Sequence, residues 1–285
     1  MILKLNQDLT LYNNYRVKSV CKRAFFPQNE EDFIDLYKEN INTKKIILGG
    51  GYNVILSKQT YNEDFLLIGE TFSKYNVVDN IIEAQAGIEM KKMSEIALAH
   101  NLSGLEVFYD IPSSLGGAIV MNAGASGSEI KDHFLKARYL DLDDLKIKEI
   151  SKEEASFEYR NSFFQKNTNK IVLKVWLKLA AGDPVLIKSK MDEIKTSRWA
   201  KQPKDYPNAG SVFKRPDGFY VGTMIEELGL KGFSVGGAQV SRKHAGFIIN
   251  YNNATGDDIL NLIEEIQNRV YKAYNVNLEV EQRII

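Results

Sequence analysis

Cysteine is almost missing from this chain: Cys21 stands alone among 285 residues. One thiol can build neither an intramolecular disulfide nor a cysteine-based metal site. Histidine is nearly as scarce, with His100, His133 and His244 scattered along the chain. A structural zinc site is therefore not expected, and no metal is assigned. Net charge is absent as well, since Lys and Arg number 37 and Asp and Glu number 37. A general polyanion binder carries a basic excess, so nucleic-acid binding by the whole chain is disfavoured while a local anion site stays allowed. No run of about 18 apolar residues exists to cross a membrane as a helix. Met1 to Tyr15 alternates apolar and polar residues and lacks a signal-peptide core, so the cytoplasm is the expected compartment. Repeats and low-complexity tracts are also absent. What is present is ordinary globular material, 44% hydrophobic and 26% charged, which excludes global disorder. A chain of this length predicts about two domains.

The first third reads as alternating strands and helices. Asn29-Glu30-Glu31 opens a helix with Phe33, Leu36 and Tyr37 on one face, its acidic start suited to the helix dipole. Lys45–Leu48, Phe65–Ile68 and Ile81–Ala84 read as strands. Met90, Met93, Ile96 and Ala97 recur at helical spacing over Glu89–His100. Asp110–Glu129 is dense in Gly, Ser and Ala and reads as a loop-rich stretch. Strands are predicted near Lys136–Leu142 and Ile171–Leu179, and a helix after Pro184 carrying Leu186, Ile187, Lys190, Met191 and Ile194. Two prolines in Gln202–Pro207 mark a linker. Thr255 with Asp258 reads as a capping box ahead of an apolar face of Ile259, Leu262, Ile263, Ile266 and Val270. Asn277–Ile285 reads as a final strand.

Six stretches can carry chemistry. In the first, a buried strand runs into Gly49-Gly50-Gly51-Tyr52-Asn53. Glycines let several amide N–H groups turn toward one point and let a phosphate approach closely; a plain tight turn satisfies the same pattern. It matches neither the Walker A loop nor the G-x-G-x-x-G fingerprint. The second, Asp110 to Ala125, holds Ser113, Ser114, Gly116, Gly117, Asn122, Gly124 and Ala125. It has too little charge for a solvated loop and too many glycines for an element interior. Such a run points to close backbone approach, by another segment or by a large flat ligand. Together the two suggest a cradle for a diphosphate-bearing cofactor.

The third stretch is Tyr159-Arg160-Asn161-Ser162, where an arginine beside aromatics can be offered to a carboxylate or held in a structural salt bridge. The fourth, Gly210-Ser211-Val212-Phe213-Lys214, presents a serine outside any Gly-x-Ser-x-Gly elbow. No histidine is near in sequence to activate it, so proton donation suits it better than nucleophilic attack, and a turn serine is the plain alternative. The fifth runs from Gly229-Leu230-Lys231-Gly232 to Gly236–Ala245. Lys231 suits an anion or an ordinary loop, and His244 reads as a hydrogen-bonded structural histidine. In the sixth, alternation puts Glu279, Glu281 and Arg283 on one strand face, either for a site or for ordinary cross-strand pairing.

In order and spacing this set resembles the UDP-N-acetylenolpyruvoylglucosamine reductase (MurB) family over nearly the whole chain. The most specific pieces are Met121–Ala125, Tyr159–Ser162 and Val240–Phe247. The resemblance implies an α+β fold: two FAD-binding subdomains of the vanillyl-alcohol-oxidase type, 1–70 and 71–200, and a substrate-binding domain, 201–285, whose final strand returns to the site. The short span from Ser211 to Glu281 resembles the version without the extra third-domain loop. The resemblance further implies non-covalent FAD and NADPH as co-substrate. The implied reaction reduces UDP-N-acetylglucosamine enolpyruvate to UDP-N-acetylmuramate for peptidoglycan synthesis. Arg160 matches the cation that stabilises charge spreading into the substrate carboxylate, Ser211 the proton donor and Glu281 the active-site glutamate. Tyr159, Lys214, Lys231 and Arg283 fall at substrate-binding positions, and the two Gly-rich stretches at cofactor-binding ones. No obligate protein partner is implied.

Several positions depart from the family pattern: Tyr52 in place of serine, Ser113-Ser114 in place of Gly-Thr or Gly-Ser, Asn14 in place of threonine and Gln282 in place of valine. Two other readings use the same residues. A different flavin oxidoreductase needs the cradle but not Arg160, Ser211 and Glu281 together. A non-catalytic nucleotide-sugar binding protein would be free of flavin.

Overall fold

Period-two patterning in the middle of the chain becomes a five-stranded antiparallel sheet. Its order is Lys146–Ser151, Phe134–Asp141, Lys170–Lys178, Ile81–Gln85, Tyr75–Val78. The computed structural model describes residues 1–39 and 43–285. The sheet's central strand buries Ile171, Val172, Leu173, Val175 and Leu177. Helix Met90–Ala99 adds Met93, Ile96 and Ala97 to the same core. Each fully buried aliphatic side chain of this kind contributes roughly 1.5–3 kcal/mol, so the sheet forms a firm floor under the loops it carries.

The chain divides into two compact units. The first comprises Met1–Lys4, Ala24–Gly50 and Asp64–Ser197, and the second Leu5–Arg23, Gly51–Glu63 and Arg198–Ile285. In the first, Lys45–Leu48 pairs in parallel with Asp64–Leu67 and ends at the glycines. In the second, Ser234–Val235, Ala238–Val240 and Ile248–Asn250 form an antiparallel sheet. Helix Gly256–Tyr274 buries Ile259, Leu262, Ile263, Ile266 and Val270 in this unit's core. Its capping box is complete: Thr255 Oγ1 accepts from the Asp258 N–H at 3.1 Å, and Asp258 Oδ2 accepts from the Thr255 N–H at 2.9 Å.

Two local expectations need correction, while the helix expected after Pro184 is present. Asp110–Glu129 is not all loop, because Leu115–Val120 is a short helix capped by Ser114 and Gly124–Ala125 pairs with Ser128–Glu129. Gly116 and Gly117 hide that helix from propensity, and Gly116 is small for packing: a Cβ there would lie 2.9 Å from the Ala86 Cβ. The last nine residues are not one strand. Only Arg283–Ile284 joins a ladder, in parallel with Val54–Ile55, while Val280 makes a single bridge to Phe213. Helix Pro184–Lys201 buries Ile187 and Met191 but leaves Leu186 exposed.

Candidate active site

In the first unit the two Gly-rich stretches meet at Ser114. Its Oγ accepts from the N–H groups of Gly50 at 3.4 Å and Gly117 at 3.3 Å. A Cβ on Gly49 would fall 2.5 Å from that oxygen, so the absence of side chains is what lets the loop close onto the helix start. Beside it, the Ser113 Oγ is buried with no hydrogen-bond partner. A buried hydroxyl that lacks a partner costs free energy unless a ligand completes it. Bare backbone from Gly49 to Gly50, the Ser114 junction and the orphaned Ser113 hydroxyl together fit a bound FAD diphosphate. Among the described residues no cluster suited to a metal ion is found.

The Met121–Ala125 stretch is fixed by the Tyr159–Ser162 motif. Buried Asn122 holds a left-handed φ of 44° and its Nδ2 donates to the Glu158 carbonyl at 2.9 Å. Ser162 Oγ donates to the Val120 carbonyl at 2.8 Å. Arg160 donates to the Gly124 carbonyl at 2.9 Å, lies 3.8 Å from Glu129 and stacks over the Tyr159 ring with its centroid at 5.0 Å. The salt bridge weighed as the plain reading of Arg160 is thus present, to Glu129 of this chain. Glu129 was missed by sequence reasoning, although the signal existed. Ser126 and Gly127 both take positive φ, and this tight turn folds Glu129 back across Gly124.

In the second unit Ser211 and Glu281 lie on hydrogen-bonded neighbours. The Glu281 N–H donates to the Val212 carbonyl at 2.8 Å, and the Val212 N–H donates to the Gly246 carbonyl at 3.1 Å. Ser211 itself bridges to Phe247 and is exposed. Three motifs far apart in sequence therefore converge on one residue, Val212. Asn53 joins them: its Nδ2 donates to the Glu281 carbonyl at 3.3 Å, and its own carbonyl accepts from the Arg283 N–H at 3.0 Å. Gly51 has a φ of 69°, and a Cβ there would lie 1.9 Å from the Tyr12 carbonyl oxygen. The third glycine is thus required by close chain approach within the protein. Asn14 donates to the Asn208 carbonyl through its side chain and to the Gly51 carbonyl through its N–H at 3.0 Å.

The remaining candidates of this unit carry ion pairs or lie open. Lys214 pairs with Glu279, and Lys231 pairs with Glu226 between the positive-φ glycines Gly229 and Gly232. Glu279 is therefore tied to Lys214. Arg283 is exposed in the two-residue strand Arg283–Ile284, and Tyr52 is half-buried. His244 is hydrogen-bonded, with Nδ1 accepting from the Gly246 N–H at 3.1 Å, and burial holds its pKa below the ordinary value.

Two family descriptions cover most of the chain. The FAD binding domain matches residues 22–151, and the UDP-N-acetylenolpyruvoylglucosamine reductase C-terminal domain matches residues 202–285. The reductase of Francisella tularensis subsp. tularensis is 40% identical over 280 residues, spanning 98% of both chains. That of Petrotoga mobilis is 41% identical, spanning 99% of this chain and 94% of its own. The crystal structure of UDP-N-acetylenolpyruvylglucosamine reductase (MurB) from Thermus caldophilus superposes with a TM-score of 0.83 at 29% identity, covering 99% of this chain and 98% of that one. The expected α+β architecture, an FAD-binding domain followed by a C-terminal domain, is met. On this full-length likeness, the chain belongs to the UDP-N-acetylenolpyruvoylglucosamine reductase family.

Proposed function

We propose that the protein is the FAD-dependent, NADPH-driven reductase that converts UDP-N-acetylglucosamine enolpyruvate to UDP-N-acetylmuramate. The observation that carries this reading is the convergence of Ser211 and Glu281 on Val212 within a chain alike over its whole length to reductases of that name. Bound FAD would supply the hydride chemistry that links NADPH to the terminal carbon of the enolpyruvyl group. Gly49, Gly50, Ser113, Ser114, Gly116 and Gly117 hold its diphosphate end, with Tyr52, Asn53, Asn122, Gly124 and Ala125 completing the cofactor contacts. Arg160 steadies the negative charge that spreads into the substrate carboxylate, because a cation already in position needs no reorganisation as charge grows. Ser211 delivers the proton to the adjacent carbon. Glu281 orients the carboxylate region. Tyr159, Lys214, Lys231 and Arg283 bind the nucleotide sugar.

We assign residues 1–70 and 71–200 to the cofactor, apart from Tyr159 and Arg160, and 201–285 to the substrate. The product feeds peptidoglycan synthesis, and so cell-wall growth, shape and division. NADPH and nucleotide sugars are cytoplasmic metabolites, and the cytoplasm is the compartment we assign; among the described residues no helix is long and apolar enough to cross a membrane. Turnover in deuterated water with NADPH tests the reaction. The expected product is UDP-N-acetylmuramate with solvent deuterium at the lactyl carbon that bears the ether oxygen, and at the methyl carbon only as far as the reduced flavin N–H exchanges before transfer. Unchanged enolpyruvyl substrate, or deuterium only at the methyl carbon, contradicts the reading.

A further inference from the structure

Residue 282, next to Glu281, is buried, at 4% exposure. An amide there must find partners, since an unpaired buried polar group is costly. Gln282 finds them all around Ser211. Its Nε2 donates toward three successive carbonyls, Ala209 at 3.1 Å, Gly210 at 3.2 Å and Ser211 at 3.3 Å. Two amide hydrogens are shared among three acceptors that only a tightly curled backbone can present together. Gly210 supplies that curl with a φ of 82°. The Gln282 Oε1 is fixed in turn by the Tyr15 hydroxyl at 3.0 Å, and Tyr15 is fully buried. Burial raises the Tyr15 pKa, and the bond to Gln282 offsets only part of that, so the phenol stays a donor.

We infer that Gln282, oriented by Tyr15, is a positioning residue that fixes the Ala209–Ser211 backbone and so aims the Ser211 hydroxyl relative to Glu281. The chain geometry supports this. Glu281 is already tied to Val212 through its N–H at 2.8 Å, and the next side chain along grips the three residues before Val212. The proton donor Ser211 and the carboxylate-orienting Glu281 are thereby set at one spacing from both sides of a single peptide segment. Ser211 is exposed, so no packing of its own side chain does this work. A valine, the residue the family resemblance led us to expect here, offers no donor to these carbonyls.

The inference rests on the role proposed for Ser211, and its test separates the two. Gln282→Val is reduced by NADPH and then mixed with the enolpyruvyl nucleotide in a stopped-flow instrument. Flavin reduction is expected to be unchanged. Flavin reoxidation by substrate is expected to slow by roughly 10- to 100-fold, the usual cost of a small misplacement, with a larger solvent deuterium isotope effect. Binding of UDP-N-acetylmuramate measured by calorimetry stays as in the wild type. The double variant Tyr15→Phe/Gln282→Val removes the orphaned phenol and is expected to recover thermal stability without recovering the reoxidation rate. Recovery of both together makes Gln282 merely structural and overturns the inference. Ser211→Ala is measured alongside. If it is slow while Gln282→Val reoxidises normally, the positioning role alone falls. If Ser211→Ala reoxidises normally, the assignment of Ser211 falls and the positioning role falls with it.

Discussion

The backbone N–H of Glu281 donates to the carbonyl of Val212, next to Ser211, at 2.8 Å. Backbone bonds do not depend on side-chain identity, so Ser211 and Glu281 can be altered one at a time without releasing the segments that carry them. That makes the roles of the two side chains separable by experiment.

Ser211→Ala is predicted to leave flavin reduction by NADPH unchanged, because that half-reaction has no use for the hydroxyl. Reoxidation by the enolpyruvyl nucleotide should slow by about 10²–10⁴-fold, the usual contribution of a positioned acid. Single-turnover kinetics of each half-reaction checks this, and equal slowing of both halves would point to a folding or cofactor defect.

Arg160 and Lys231 are predicted to divide their work. In its proposed role Arg160 meets charge that grows during the reaction, so Arg160→Lys should depress kcat; a point charge cannot replace the planar fork that also bonds the Gly124 carbonyl. Lys231 holds charge that stays constant, so Lys231→Ala should chiefly raise KM for the nucleotide sugar. Steady-state kinetics at full FAD content decides. A pure KM effect for Arg160→Lys, or a pure kcat effect for Lys231→Ala, reverses the assignment.

Two glycines with similar φ should respond differently to alanine. Gly210, at 82°, has nothing within 4 Å of an added Cβ, so its substitution carries only the backbone cost, roughly 1 kcal/mol. At Gly51, at 69°, the Cβ would also meet the Tyr12 carbonyl at 1.9 Å. Gly51→Ala is therefore predicted to lower the unfolding midpoint at least twice as far as Gly210→Ala, measured by thermal denaturation of both variants.

Asp258 carries the pH dependence of the last helix. Burial alone would raise its pKa, but the N–H groups of Thr255 and Gly237 and the Thr255 side chain hold it below the ordinary carboxyl value of 3.8. A carboxylate with a depressed folded pKa contributes stability above the unfolded value and loses it as pH falls through the folded one. Asp258→Ala should cost about 0.5–2 kcal/mol at neutral pH, and the gap from wild type should shrink as the pH drops below the unfolded carboxyl value. Denaturant unfolding at several pH values tests the sign; a gap that widens on acidification contradicts it.

Much of the frame was legible because local signals agreed with tertiary demand. Lys45–Leu48 and the Thr255 cap stand where the sequence put them. Helix Leu115–Val120 was hidden, since Gly116 is selected by the Ala86 contact and not by helix propensity. At the site, motif order drew attention to Ser211, Arg160 and Glu281, but not to what anchors them. Glu129 becomes Arg160's partner only through a hairpin turn. Gln282 reads as a plain departure from a pattern until folding brings Tyr15 and the Ala209–Ser211 carbonyls to it. The Gln282 contacts, made across more than 70 residues, leave no local signature.

The absorption spectrum of the purified protein, followed through one cycle, tests the central claim most directly. The protein should show the visible band of a flavin that acid precipitation releases into the supernatant. NADPH added without oxygen should bleach the band, and UDP-N-acetylglucosamine enolpyruvate should then restore it with formation of UDP-N-acetylmuramate. A colourless protein, or a bleached band that the enolpyruvyl nucleotide fails to restore, would contradict it.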